Sequence, residues 1–242
     1  MERIAYSYGC LMAMFPEPLA DRVRGFADLI PDEDVFDDAD GESGREDEPH
    51  VTVLYGFHED NSAVVAQAFS GQSGAVVTLG EISAFHNDDN IVLKIDVNSP
   101  DLARLNSFAR ENFEVTSQFP EYHPHVTIAY LRHRKDDPYY YHKYFCSMFS
   151  GTEVAFDQLV FSSSDGKRGS VVLLPETPTR RAARIALRVA RRFLSKRKPK
   201  KMRKRRKPQQ GEEKQESRKY YQKNRAEVKK KQKQYRRKTE SR

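Results

Sequence analysis

The sequence predicts an α+β body made of two similar halves, followed by a long basic tail. Three observations carry this. First, a seven-residue stretch occurs twice, PHVTVLY over 49–55 and PHVTIAY over 124–130, identical at five of seven positions. Second, strand-like and helix-like segments alternate along the first 175 residues. Third, the charge is split. Residues 179–242 hold 29 Lys+Arg against 5 Asp+Glu, a balance of +24, whereas residues 1–178 hold 13 against 30, a balance of −17. The chain's net charge of +7 hides this division between an acidic body and a basic tail.

The repeat reads as a half-buried strand used twice. Successive strand side chains point to opposite faces. His50 and Thr52 therefore share one face, about 7 Å apart along the strand, and so do His125 and Thr127. Val51, Val53 and Tyr55 fall on the other face, as do Val126, Ile128 and Tyr130, so both tyrosines are expected in the core. Pro49 and Pro124 cannot donate to a ladder and suit the residue just before each strand.

The remaining elements follow in order. Residues 4–15 read as a strand that Pro16 stops. Residues 17–30 carry Leu19, Val23, Phe26 and Ile30 at helical spacing. Residues 31–48 are mostly acidic and small, and read as a solvated loop. That loop is also a candidate gate for the site or a holder of the tail. After the first repeat strand, 61–70 is helical, and strands 74–86 and 91–97 flank the turn Asn87–Asn90. Ser99-Pro100-Asp101 opens a helix, with Pro in the first turn and Asp at the positive end of the dipole. The second repeat strand leads to a connector, 132–149, ending in a short helix. Residues 153–161 alternate as one strand, and 170–174 is the last. Pro175 and Pro178 close the body. Three domains are expected: the body over 1–175, a basic amphipathic helix over 179–194, and a Lys/Arg-rich disordered tail over 195–242.

Cys10 and Cys146 form no disulfide framework and no zinc spacing, and read as buried structural thiols. The N-terminus lacks a signal-like apolar run, and no stretch of 18 apolar residues is present. A soluble protein of a reducing compartment, the cytoplasm, is expected.

The two HxT strands, their 75-residue separation and the two-half body resemble the 2H phosphoesterase superfamily, named for paired His-x-Thr/Ser motifs. The form PHVTxxY at both sites, the first strand with its YGC, and the hairpin ISAFHNDDNIVLKIDV are most similar to phage anti-CBASS nucleases, which destroy cyclic oligonucleotide alarm signals. The resemblance covers about residues 4–175. It implies a bilobal, pseudo-two-fold fold of two antiparallel sheets around a central cleft with flanking helices. It implies His50, Thr52, His125 and Thr127 as the catalytic set, with no metal and no cofactor, and host cytoplasm as the location if the source is viral.

The residue types suit the chemistry. Imidazole titrates near neutral pH, so one histidine can serve as base and the other as acid. Threonine hydroxyls can donate to non-bridging phosphate oxygens. A metal site built on His123, His125 and His133 is the competing reading, but no Cys or carboxylate completes a set at the usual spacing. Tyr8, Phe85 and His123 are the candidate substrate-binding residues, with Tyr6 and Tyr139–Tyr141 as further aromatic candidates. His58, His86, His133 and His142 carry no pattern.

An acidic body repels a long polyanion, which favours a small cyclic oligonucleotide or other small nucleotide as substrate. The alternatives are an RNA-end 2′,3′-cyclic phosphodiesterase that holds RNA with its tail, and a non-catalytic nucleic-acid-binding protein. The tail itself suits non-specific nucleic acid or the acidic loop better than a membrane.

Overall fold

The computed structural model describes residues 7–37, 43–117, 121–133, 141, 145–175 and 186. Among the described residues, eight strands and three α-helices, with one short 3-10 helix at Asp32–Asp34, follow in the order β1 (Gly9–Met14), α1 (Glu17–Ala27), β2 (His50–Phe57), α2 (Ser62–Phe69), β3 (Ala75–His86), β4 (Ile91–Asn98), α3 (Pro100–Asn112), β5 (His125–Leu131), β6 (Glu153–Phe156), β7 (Gln158–Ser162) and β8 (Arg168–Val172). They build two four-stranded sheets, β2-β1-β7-β8 and β5-β4-β3-β6, in which every pairing is antiparallel. The expected two-sheet α+β architecture is thus the observed one. Each repeat strand lies at an edge of its own sheet, and the two edges, β2 and β5, approach each other.

Each sheet has one apolar face. Leu11, Ala13, Val51, Val53, Leu159, Phe161 and Val171 are fully buried behind the first sheet, and Ile82, Leu93, Ile95, Val126 and Ile128 behind the second. The helices cover these faces, with α3 against both β2 and β3. Local sequence explains the helix starts. Ser99 caps α3 by accepting from the Leu102 N–H at 3.1 Å, and Pro100 occupies its first turn. Asn61 caps α2 by accepting from the Ala63 N–H at 3.0 Å.

Four expectations are corrected. The run 153–161 is two strands, because the chain crosses from the second sheet to the first at Asp157. Both its ends alternate, so periodicity alone could not divide it. The acidic segment is an ordered edge cover where it is described. Arg45 pairs with Ala129, the Tyr130 N–H donates to the Gly44 carbonyl, and the Phe36 N–H donates to the Tyr130 carbonyl. Cys146 is a half-buried free thiol rather than a buried one, whereas Cys10, half-buried as a residue, has the expected buried thiol. Tyr55 and Tyr130 lie outside the core, for a reason given below.

The edge cover is reciprocal. The segment leading into β2 pairs with β5 through Arg45 and Ala129, and the segment leading into β5 pairs with β2 through Val115 and Phe57. Each repeat strand is thereby closed on its outer edge by the approach to the other, which removes two exposed edges. Of the basic C-terminal segment, only Ala186 is described, helical and exposed. The expected tail and most of the helix over 179–194 lie outside the described residues. Among the described residues, no helix is long and apolar enough to cross a membrane.

Candidate active site

The repeat folds identically in both halves. In β2 the register passes from Leu11↔Leu54 to Met12↔Thr52, so Val53 is an extra residue. In β5 it passes from Leu93↔Ala129 to Lys94↔Thr127, so Ile128 is the extra residue. These are β-bulges at the same position of the two repeats. A bulge breaks the alternation that a plain strand would keep. Tyr55 and Tyr130 therefore turn to the same face as the histidines and threonines, and Tyr55 is 43% exposed. Each bulged carbonyl has a partner. The Asn106 side-chain amide donates to the Val53 carbonyl at 2.8 Å, and the Glu46 N–H donates to the Ile128 carbonyl at 3.0 Å.

The two imidazoles are held alike. His50 Nδ1 lies 2.7 Å from the Glu48 carbonyl, and His125 Nδ1 lies 2.8 Å from the His123 carbonyl. A carbonyl can only accept, so Nδ1 carries the proton in both rings and Nε2 is left for chemistry. Both histidines and both threonines are half-buried. The Tyr122 hydroxyl donates to the Thr52 carbonyl at 2.9 Å, which ties the approach to β5 onto β2. The His50 charge reaches the His125 imidazole.

A cation held by a carboxylate flanks each histidine. Beside His50, Arg168 makes a two-pronged pair with Glu48, at 2.8 and 2.6 Å. Beside His125, the register Asp96↔His125 and Lys94↔Thr127 places Lys94 and Asp96 on the same face as His125 and Thr127. Lys94 Nζ bonds Asp96 directly and donates to the Ser83 hydroxyl at 2.7 Å, while that hydroxyl donates to Asp96 at 2.7 Å. Lys94 is only 7% exposed, a charge that must be paired to be buried.

The electrostatics of the halves differ. Burial pushes the His125 imidazole below its usual range, and the charges of Lys94 and His50 push it further; the His123 carbonyl and Asp96 oppose this without cancelling it. Burial raises the Asp96 carboxyl, but the Lys94 and Ser83 contacts outweigh it and hold the group low. Around His50 the neighbours are acidic. Burial raises the Glu46 carboxyl against the pull of the His50 charge. Arg168 holds the Glu48 carboxyl low, with His50 adding to the effect.

Of the candidate substrate-binding residues, Phe85 stands edge-on to His125, ring centroids 5.0 Å apart, with Lys94 Nζ 4.2 Å over its ring. Tyr8 stands off the histidine pair. It packs on Tyr55 at 6.2 Å and on His58 at 5.2 Å, at the far end of β2. His123 contributes its carbonyl, while its exposed ring pairs with Glu121 at 3.2 Å. Tyr141 is buried and its hydroxyl donates to Asp34 at 2.7 Å, which makes it a packing residue. Tyr6, Tyr139, Tyr140 and His142 lie outside the described residues. His133 Nε2 sits 2.9 Å from the Asn87 carbonyl, and among the described residues no three His, Cys, Asp or Glu side chains gather to hold a metal ion.

Sequence reasoning does not find Arg168, Lys94, Glu46 or Glu48 as members of this site. Lys94 and Asp96 were detectable, since they alternate with buried residues in IVLKIDV as a charged face of a strand. Arg168 sits far off in the chain at the start of β8 and carries no local signal. Cys10 shares the face and packs by the Thr52 hydroxyl; burial pushes its thiol up to about 12, so it is neutral near pH 7.

No curated protein sequence matches the chain. Among solved structures, Usb1 of Kluyveromyces marxianus is similar over 70% of this chain and 100% of its own, at 12% identity and a TM-score of 0.45. The protein TT0787 of Thermus thermophilus covers 69% and 94%, at 12% identity and 0.44. LigT of E. coli, in complex with 3′-AMP, covers 69% and 94%, at 16% identity and 0.44. Residues 15–168, well over half the chain and inclusive of both HxT strands, match the family described as the 2′-5′ RNA ligase superfamily. The chain belongs to that superfamily, the 2H phosphoesterases.

Proposed function

We propose that this chain is a phosphodiesterase that hydrolyses small nucleotide diesters, cyclic oligonucleotides first among them, by acid–base catalysis between His50 and His125. The observation that carries the reading is the twin lock on Nδ1. It presents an Nε2 from each half of one cleft, each in the tautomer that can exchange a proton with a substrate. The environments divide the roles. His125 is held neutral by burial beside Lys94 and acts as base. That leaves His50, held through Nδ1 in the other half, as the acid.

The steps balance. A water oxygen attacks phosphorus while His125 Nε2 takes its proton. The bond to the opposite ester oxygen breaks, and His50 Nε2–H gives that oxygen a proton. One phosphomonoester and one alcohol result, and a proton returned from His125 to His50 through solvent resets the pair. Thr52 and Thr127 donate to the non-bridging oxygens, with Arg168 and Lys94 adding positive charge. Each proton transfer is worth roughly 10²–10⁴-fold.

The test is to incubate the full chain, in EDTA, with cyclic dinucleotides, cyclic trinucleotides and RNA ending in a 2′,3′-cyclic phosphate, and to chromatograph the products. Turnover of a cyclic oligonucleotide is expected. A second reading, an RNA-end 2′,3′-cyclic phosphodiesterase, is favoured by the superfamily match and by the basic tail. It predicts preference for the RNA and a steep loss of kcat/KM with salt, because a tail that grips RNA does so by counterion release. Binding of RNA with no turnover of any probe would show a nucleic-acid-binding protein instead.

A further inference from the structure

The bulges place more than the catalytic groups. Each repeat strand carries, on its open face and in the same order, a histidine, a threonine and a tyrosine. The tyrosine follows the threonine by three residues, but one of these is the bulge, so it sits two ladder positions on, from Met12↔Thr52 to Cys10↔Tyr55 and from Lys94↔Thr127 to Val92↔Tyr130, roughly 7 Å along the strand, a distance that one nucleoside bridges. The direction of the strands sets where the tyrosines lie. The segment that leads into β2 pairs antiparallel with β5, and the segment that leads into β5 pairs antiparallel with β2. Tyr122, three residues before His125, reaches the Thr52 carbonyl. β2 and β5 therefore run in opposite directions with their histidine ends together, and Tyr55 and Tyr130 point away from the centre on opposite sides.

Each tyrosine also has apolar or aromatic neighbours on its own face. Tyr55 is braced edge-on by Tyr8, which in turn packs on His58. Tyr130 shares its face with Val92 and Phe85 through the pairs Val92↔Tyr130 and Phe85↔Val92. Tyr55 is 43% exposed in a strand whose other large apolar side chains are buried. A hydroxylated ring on a braced, half-open ledge is what a nucleobase stacks on.

We propose that Tyr55 and Tyr130 are two nucleobase platforms on opposite sides of the reacting phosphate, so that the substrate is an internucleotide diester bearing a base on each side rather than a terminal cyclic phosphate. The proposal rests on the phosphodiesterase reading above. It explains why the tyrosine is part of the duplication. A diester with two bases presents nearly the same shape to both halves, and a cleft of two matched halves meets it with one platform each.

The test compares four probes on the full chain: ApA in its 3′-5′ and 2′-5′ forms, 2′,3′-cyclic AMP, and methyl 4-nitrophenyl phosphate, a diester without bases. The wild type should prefer one ApA isomer over 2′,3′-cyclic AMP in kcat/KM. Tyr55→Ala and Tyr130→Ala should each lower kcat/KM on that isomer roughly 5- to 100-fold, the worth of one base–aromatic stack. Their losses on methyl 4-nitrophenyl phosphate should be at least threefold smaller. Tyr55→Phe and Tyr130→Phe keep the ring and should stay within about twofold of wild type, with melting temperatures reporting that all four variants fold. Equal losses on ApA and on the base-free diester overturn the proposal, as does a wild type that prefers 2′,3′-cyclic AMP; both leave the phosphodiesterase reading standing. A wild type that turns over none of the four probes, nor a cyclic dinucleotide run beside them, overturns both; one that turns over only the cyclic dinucleotide is then compared with the same four variants on that substrate, where Tyr55→Ala and Tyr130→Ala without loss overturn the proposal alone.

Discussion

The Asn106 side-chain amide donates to the carbonyl of Val53 at 2.8 Å, and Val53 is, with Gly56, one of two residues by which β2 departs from a regular strand. Asn106 lies on α3 and is buried, with the Arg110 guanidinium donating to its oxygen at 3.0 Å. The bulge leaves a carbonyl without a ladder partner, and the helix supplies one. Asn106→Ala leaves that carbonyl buried and unsatisfied, at a cost of about 1–3 kcal/mol. Urea denaturation should show this as a lower midpoint at unchanged slope.

Lys94 and His125 make a second pair with a measurable consequence. Of the charges that face His125, Lys94 and His50 push its pKa down, below the push of burial, and Asp96 pulls it up. Lys94→Met removes one depressing charge and frees Asp96 of its neutralising partner. The His125 imidazole should then titrate at higher pH than in wild type, read from its ring proton shifts by NMR. The stability follows the same sign. A histidine held below its ordinary value keeps its full contribution above about pH 6.5 and loses it as pH falls through the folded value, because the unfolded chain binds the proton first. Asp96, also held low, adds its own loss at still lower pH. Wild-type melting temperature should therefore fall as pH drops below about 6.5.

Arg168 and Glu48 form an exposed pair, with about half of each side chain open to solvent. Such pairs contribute roughly 0–1 kcal/mol to stability. Arg168→Met should therefore change stability by less than about 1 kcal/mol, yet lower kcat/KM on a diester about 10- to 100-fold, the worth of a charge-assisted contact to phosphate. Loss of folding in step with loss of activity would assign Arg168 to structure.

The limits of the sequence are physical. The duplicated PHVT was legible because two side chains on one strand face need alternation, and alternation survives in one dimension. The bulges were not legible, because an extra strand residue is defined only by the partner strand that it fails to pair with. Plain alternation therefore sends Tyr55 and Tyr130 to the core, where the structure does not put them. The division of 153–161 between two sheets is hidden in the same way. Arg168 belongs to β8, and its pairing with Glu48 next to His50 depends on a sheet order that no local pattern encodes. Charge marks the acidic stretch as a loop, while its order comes from main-chain pairing with β5.

Gly56 follows the first repeat and has φ +114°, a region that side chains other than glycine rarely adopt. A Cβ built there meets the Thr116 carbonyl oxygen at 1.9 Å, and that backbone covers the edge of β2. Gly56→Ala should destabilise by more than about 1 kcal/mol, read as a lower melting temperature. Hydrogen exchange at the Thr116 amide, which donates to the Gly56 carbonyl at 2.9 Å, should speed up.

The central claim is that two imidazoles, one from each repeat, serve one phosphate. Its most direct test is the turnover of a cyclic dinucleotide by wild type, His50→Ala and His125→Ala at equal folded concentration. Each single variant should lose at least about 10²-fold in kcat, and the double variant should lose little more than either, because the two groups act as a unit. A single variant that keeps a near-normal rate while still folded contradicts the claim.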